Sequence, residues 1–403
     1  MITGHNASVG NIFRLYADDY ISRRVLPVHW LKAIEAIKLC RTAALGGHKE
    51  KCNHCGHVKV HYNSCGNRHC PQCQGANRVK WILEKQYDLL PVNYFHAVFT
   101  IPAQLHTLFR YNRKKMYNLI FSCVWETLQT FASNPENRIN AKIGMIAIIH
   151  TWTQKLGFHP HLHCIVPAGG LTNDGKWKNA PNNNGFLFHF KALANTFRGK
   201  FLWYLIDMYE KGSLKLPDEL YSTVNFRYFT KMLKMIQWNV NVEDPFENPD
   251  HVMHYLAGYT HRVAIANSRI ISVDTENNTV TFSYKDRKNK CTCHKTVTSE
   301  KFITLFIQHF LPKRFVKIRN YGILSTRTKY KDMKTARRAL NMPDPGKKPK
   351  LTIRQVIIIT QGIDILKCPV CKKGDMEIFE IIQPIRGSPR RRLPLEKKLN
   401  LVS

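Results

Sequence analysis

The sequence predicts an α+β protein. Three apolar stretches, 94–101, 143–152 and 160–166, read as strands, and the last two are joined closely enough to pair antiparallel. Segments with helical apolar spacing lie around them, and a cysteine-rich stretch poor in apolar residues stands ahead of them.

Residues 9–40 read as helix, with Leu31, Ile34 and Ile37 recurring at helical spacing. The segment 40–75 has too little apolar content for a core of its own. "YFHAVFTI" is a buried strand stopped by Pro102, and 103–132 returns to helical periodicity. "IGMIAIIHTW" and "PHLHCIV" are strands connected through Gly157 and Pro160, followed by an aromatic-rich helix over 187–210. Asn248-Pro249-Asp250 is a helix start that opens "HVMHYLAGYTHRV". A hairpin follows, "SRIISVDTENNTVTFSYKD", and then Ser299 caps a helix over 300–311. The resulting division is 1–36 (helical segment), 37–80 (zinc-binding module), 81–300 (catalytic domain), 301–345 (basic helical extension) and 346–403 (basic tail with one CxxC).

With 61 Lys and Arg against 28 Asp and Glu, the formal charge is +33, which implies a polyanionic partner such as nucleic acid. An anionic membrane is the competing reading, but the basic residues are spread along the whole chain, with no amphipathic anchor and no long apolar run. The N-terminus does not read as a signal peptide, so a cytoplasmic protein is expected, its twelve cysteines free or metal-bound.

Two CxxC knuckles, Cys52/Cys55 and Cys70/Cys73, suit a tetrahedral zinc ion. Cys40, His48, Cys65 and His69 remain as four ligands for a second zinc, and the pairing could be interleaved. The tail pair Cys368/Cys371 is half of another site, with Cys291 and Cys293 as candidate partners.

His159, His161 and His163 alternate, so a strand projects all three to one face. His161 and His163 can share one ion. Antiparallel pairing would bring His150 beside them as a third ligand, with Gln154 as the fallback and His159 in the approach to the strand. Such a set would hold a divalent Lewis acid. Tyr255 and Tyr259, four apart, fall on one helical face beside Gly258 and several polar residues. By itself such a pair is usually core packing. Aimed at a metal-bound phosphodiester, the phenols become candidate nucleophiles.

His161-Leu162-His163 resembles the histidine–hydrophobic–histidine (HUH) motif of single-strand endonucleases. The cysteine-rich start, "HPHLH" and "YLAGYTHRVAIAN", in that order, resemble the insertion sequence 91 family of rolling-circle transposases, from about Cys40 to Arg338. The resemblance implies a palm-like antiparallel sheet flanked by helices, with the histidine pair on its central strand. It implies Mg²⁺ or Mn²⁺ held by His161 and His163, and attack by Tyr255 and Tyr259 on single-stranded DNA at transposon ends, where hairpins are expected. A 5′-phosphotyrosine and a free 3′-hydroxyl would result, in a bacterial, nucleoid-associated enzyme. Arg262, Lys285 and Arg287 are expected DNA contacts, and the basic stretch 319–340, with Tyr321 and Tyr330, offers phosphate contact with base stacking. Two further readings stay open: a zinc-finger regulator without chemistry, and a nuclease using metal-activated water. The histidine trio disfavours the first, and the tyrosine pair disfavours the second.

Overall fold

The computed structural model describes residues 1–4, 7–86, 88–137, 139–181, 188–246, 252, 263–286, 289–343 and 351–385. Its strands, numbered along the chain, are β1 (Ile2–Thr3), β2 (Gly47–Cys52), β3 (Val58–Tyr62), β4 (Tyr94–Thr100), β5 (Gly144–Trp152), β6 (Phe158–Pro167) and β7 (Gly169–Leu171). They continue as β8 (Trp177–Asn179), β9 (Asn239–Phe246), β10 (Ile270–Asp274), β11 (Thr279–Asp286), β12 (Cys291–Thr298), β13 (Ile318–Gly322) and β14 (Met376–Ile382).

The central sheet has the order β13-β5-β6-β4-β9, antiparallel throughout, with the histidine strand β6 in the middle. Period-two alternation gives it two different faces. Phe95, Ala97, Phe99, Ala147, Ile149, Leu162, Cys164, Val166 and Val240 face a large apolar cluster built with the helices Arg113–Ser133 and Phe190–Glu210. Removing a buried phenylalanine such as Phe99 or Phe197 would cost about 3–5 kcal/mol, so this face is the scaffold. The opposite face carries Ile146, Ile148 and Ile165 in a smaller cluster at one end and histidines at the other.

A tight turn between β5 and β6 sets their register. Leu156 sits at φ 62°, the Thr153 amide donates to the Gly157 carbonyl, and the Gly157 amide donates to the Thr153 hydroxyl. Leu156 tolerates that left-handed backbone because its side chain is fully buried and its carbonyl accepts from Gln308 and His309.

Several expected elements differ in detail. The helix expected over 9–40 is two helices, Val9–Ser22 and Val28–Lys38, separated at Pro27. They share an apolar cluster with the hairpin β10–β11 and the helix Ser299–Ile307, through Phe13, Ile34, Phe282, Phe302 and Phe306. That last helix is capped by the Thr298 hydroxyl, not by Ser299. The helix over 103–132 breaks at Asn112, whose side chain donates to the carbonyls of Leu108 and Lys215. The helix opened by Asn248-Pro249-Asp250 lies outside the described residues except for Val252 and Val263, and so does the chain's basic ending from Arg386. The tail also contains a helix, Ile353–Gln361, opened by a Thr352/Gln355 capping box, and the strand β14. Neither was expected. β14 adds to β2–β3 as a third strand.

Candidate metal centre

β5 and β6 place His150 directly opposite His161, and Ile148 opposite His163. One ring nitrogen from each of His150, His161 and His163 lies within 4.8 Å of the others. The alternation expected from the sequence thus gathers three imidazoles on one face. His161 Nδ1 donates to the His159 carbonyl at 2.7 Å, so Nε2 is the ring nitrogen that carries the acceptor lone pair. Desolvation lowers the pKa of His159 itself.

Two residues that the sequence reading missed extend the site. His96 on β4 puts Nε2 3.0 Å from His163 Nδ1, while its Nδ1 lies 2.7 Å from a Glu243 carboxylate oxygen on β9. A carboxylate only accepts, so His96 donates to Glu243 through Nδ1 and accepts from His163 through Nε2. This chain turns the Nε2 lone pair of His163 outward, an arrangement that holds metal-binding histidines in orientation. The signal was present in "YFHAVFTI", a histidine on the same alternate positions as Val98 and Thr100. Trp152 stacks on His150 at 4.5 Å and itself lies under Lys317.

The histidines open into a cleft of about 680 Å³ lined also by Asn239, Asn241, Gln154, Lys155, Tyr284 and Lys285. Lys155 lies over the Tyr284 ring at 4.7 Å. Lys285 is exposed at this cleft, as a phosphate contact requires. Tyr255, Tyr259, Arg262 and Arg287 lie outside the described residues.

The cysteines form two clusters, paired differently from the first expectation. Cys40, Cys65, Cys70 and Cys73 make one; Cys52, Cys55, Cys368 and Cys371 make the other. The two knuckles therefore belong to separate sites, and the tail pair meets Cys52/Cys55. Cys291 and Cys293 sit together on β12, their sulfurs 3.3 Å apart, and join neither cluster. His48 is corrected as a ligand: its Nε2 is 3.1 Å from Glu50, and its ring stacks on His61. His69 is corrected too, because it stacks on Phe310 at 4.5 Å while the cluster beside it is completed by four cysteines. Desolvation, with Arg68 and Lys317 nearby, pushes the pKa of His69 down to about 3.

Both clusters have the dimensions of a zinc site. Sulfurs 2.3 Å from a tetrahedral zinc are about 3.8 Å apart. Cys40–Cys73 and Cys65–Cys73 measure 3.5 and 3.6 Å, and Cys52–Cys371 and Cys55–Cys368 measure 3.7 and 3.6 Å. Backbone amides donate to the sulfurs of Cys40, Cys52, Cys65 and Cys371. Such donors favour thiolates, and the amides of Gly374 and Lys373 bring Cys371 down to about 6.

Comparison with known proteins agrees with this geometry. A "Transposase zinc-binding domain" model (Zn_Tnp_IS91) matches residues 12–101, and the Y2_Tnp model, described as "Putative transposase", matches 144–331. "Putative transposase y4qJ" of Sinorhizobium fredii (strain NBRC 101917 / NGR234) is 38% identical over 95% of this chain and 97% of its own. The chain belongs to the IS91 family of transposases. The "Transposase for insertion sequence element IS801" of Pseudomonas savastanoi pv. phaseolicola is 28% identical over 85% of this chain and 81% of its own. No solved structure matches. As an IS91-family transposase the chain acts on DNA and carries an N-terminal zinc-binding domain. Among the described residues no helix is long and apolar enough to cross a membrane.

Proposed function

We propose that this transposase is a metal-dependent HUH endonuclease and strand transferase that cuts single-stranded DNA in rolling-circle transposition, with Tyr255 and Tyr259 as nucleophiles. The observation that carries this reading is the imidazole cluster of His150, His161 and His163 on an open sheet face, its lone pairs oriented by His159 and by the His96–Glu243 pair. A cluster needed only for folding would have no use for three gathered ring nitrogens at an open cleft. His150 rather than Gln154 is the third ligand in this reading. A Mg²⁺ or Mn²⁺ ion there would neutralise charge on the scissile phosphate, and Mn²⁺ takes nitrogen ligands more readily.

The position of the tyrosines along the chain supports the same assignment. Val252 is fully buried in the cluster that holds Ile146, Ile148 and Ile165, on the histidine face. Three residues later comes Tyr255, at most about 11 Å of chain away. At the far end of the segment, Val263 lines a small cavity with Trp152, which stacks on His150. The described residues flanking the tyrosine segment thus pack on the histidine face of the sheet at Val252 and line a cavity with Trp152 at Val263.

In the proposed step a tyrosine oxygen attacks phosphorus and its proton passes to solvent or a base. The bond from phosphorus to the 3′ oxygen breaks, and that oxygen takes up a proton. The phosphodiester is replaced by a phosphotyrosyl ester, so a later 3′-hydroxyl can reverse the exchange without an external energy source. A second tyrosine allows one end to be held while the other is cut. Lys155 and Lys285 supply phosphate contacts at the cleft, and Tyr284 a stacking surface. The setting is bacterial cytoplasm at the nucleoid, the substrates single-stranded transposon ends with hairpins.

The test is cleavage of single strands spanning insertion junctions with Mn²⁺ or Mg²⁺, resolved on a denaturing gel. The wild type should give a metal-dependent covalent protein–DNA band that Tyr255→Phe/Tyr259→Phe abolishes. Cleavage without an adduct in the double variant would mean that water is the nucleophile. Binding without cleavage under either metal would leave a DNA-binding regulator.

A further inference from the structure

We propose that Cys52, Cys55, Cys368 and Cys371 bind a second zinc ion, which acts as a clasp between the C-terminal segment and the N-terminal module. The proposal is independent of the DNA chemistry above. The zinc-binding model covers 12–101 and the transposase model 144–331, so the tail pair lies beyond both. Its sulfurs nonetheless meet those of Cys52 and Cys55 at 3.7 and 3.6 Å, across separations of 319 and 313 positions. A disulfide would need about 2.05 Å. The distances suit four sulfurs around one ion.

The surrounding backbone is built for that meeting. A side chain at Gly374 would put a Cβ 2.6 Å from Cys52 Sγ and 2.6 Å from the Cβ of His54, so only glycine lets the tail knuckle close on the first one. Asn53 and Asp375 exchange hydrogen bonds across the junction, at 3.1 Å from the Asn53 amide and 2.9 Å to its side-chain oxygen. From there β14 pairs antiparallel with β2 from Met376–Cys52 to Ile382–Gly47, with a register shift between Ile378 and Glu380. Among the described residues the apolar cluster at the junction is Cys52, Cys368 and Met376, with Cys371 against it. That is a small core for a strand and a knuckle, whereas the helix Ile353–Gln361 packs separately against the helix Gln74–Gln86 and buries Val356. The metal supplies what burial does not. Zinc-binding residues thus come from both ends of the chain, and loss of this one ion would free the tail while the cluster of Cys40, Cys65, Cys70 and Cys73 stayed loaded.

The experiment uses the full chain, purified with its zinc and measured by elemental analysis beside limited proteolysis. The wild type should hold two zinc ions per chain, and Cys368→Ser/Cys371→Ser one. In that variant the tail should be cleaved rapidly while the N-terminal module stays protected. Gly374→Val keeps every cysteine and should also lose one zinc, which separates steric closure from ligand loss. Cobalt substitution reports folding of the remaining site, whose tetrathiolate absorption should persist in both variants. Two zinc ions retained in the double serine variant would overturn the proposal. So would tail protection that survives loss of the ion, or a wild type with one zinc and these four cysteines oxidised to disulfides.

Discussion

His150, His161 and His163 come from one hairpin, whereas Cys52 and Cys371 meet across 319 positions of chain. The histidine set offers three nitrogens and opens into a cleft; each cysteine set offers four sulfurs, enough to fill a tetrahedral shell. Three ligands with a free side suit chemistry, and four suit structure. The difference also appears in what surrounds each set. Hydrogen bonds through His159 and through His96–Glu243 aim the imidazoles. The cysteines are instead steadied by amide donors from their own knuckles.

The comparison breaks first if the two sets respond alike to losing a ligand. His161→Ala/His163→Ala should lower DNA cleavage at least about a thousandfold, since several kcal/mol of charge stabilisation is removed. Its zinc content and thermal midpoint should stay close to the wild type's. Cys70→Ser should do the reverse at first: zinc is lost and the module melts, because structural zinc binding is worth about 10–16 kcal/mol in small domains. Elemental analysis and a melting curve on the same samples check both. A histidine variant that unfolds, or a Cys70→Ser protein that melts like the wild type, would erase the distinction.

A smaller effect sharpens it. If His96 and Glu243 act only by aiming His163, then Glu243→Gln and His96→Ala should weaken Mn²⁺ binding by about 10- to 100-fold, followed by the spin resonance of the free ion. Cleavage should recover at saturating metal. Failure to recover would mean that one of them touches the DNA.

The same contrast explains what could be read from the sequence. Alternation is a local property, so "GFHPHLHCIV" and "IGMIAIIHTW" were enough to place His150, His161 and His163 together. His96 is just as local on β4, but a lone histidine in an apolar strand carries no partner in its own segment; Glu243 arrives from β9. Cysteine spacing showed that metal binds near residues 40–75, yet spacing does not encode which knuckles meet. The nearest pair in sequence, Cys52/Cys55 with Cys70/Cys73, was the natural assignment, and folding chose otherwise. A tail rich in lysine and proline also hid β14, whose partner β2 lies at the other end of the chain. Tertiary contact of high sequence separation is what the pattern of residues leaves out.

The smallest effect expected lies where the two regions touch the scaffold between them. His309 is buried: Thr151 donates its hydroxyl to Nδ1, while Nε2 donates to the Leu156 carbonyl in the β5–β6 turn. Burial pushes its pKa down to about 3, with Arg113 and Arg110 adding to the effect. In the unfolded chain the value is about 6.5. Between those limits the unfolded chain holds a proton that the folded one refuses, so stability falls as pH falls. Going from about pH 7 to about pH 5 should therefore cost about 2 kcal/mol through this one residue. His309→Gln has no proton to take up, and its urea midpoint should lose correspondingly less over the same interval. Acid weakening of the zinc thiolates acts on both proteins and cancels in the difference. Equal losses in the two would mean that His309 takes up its proton without unfolding, and that the turn holding His150 opposite His161 does not depend on its neutral form.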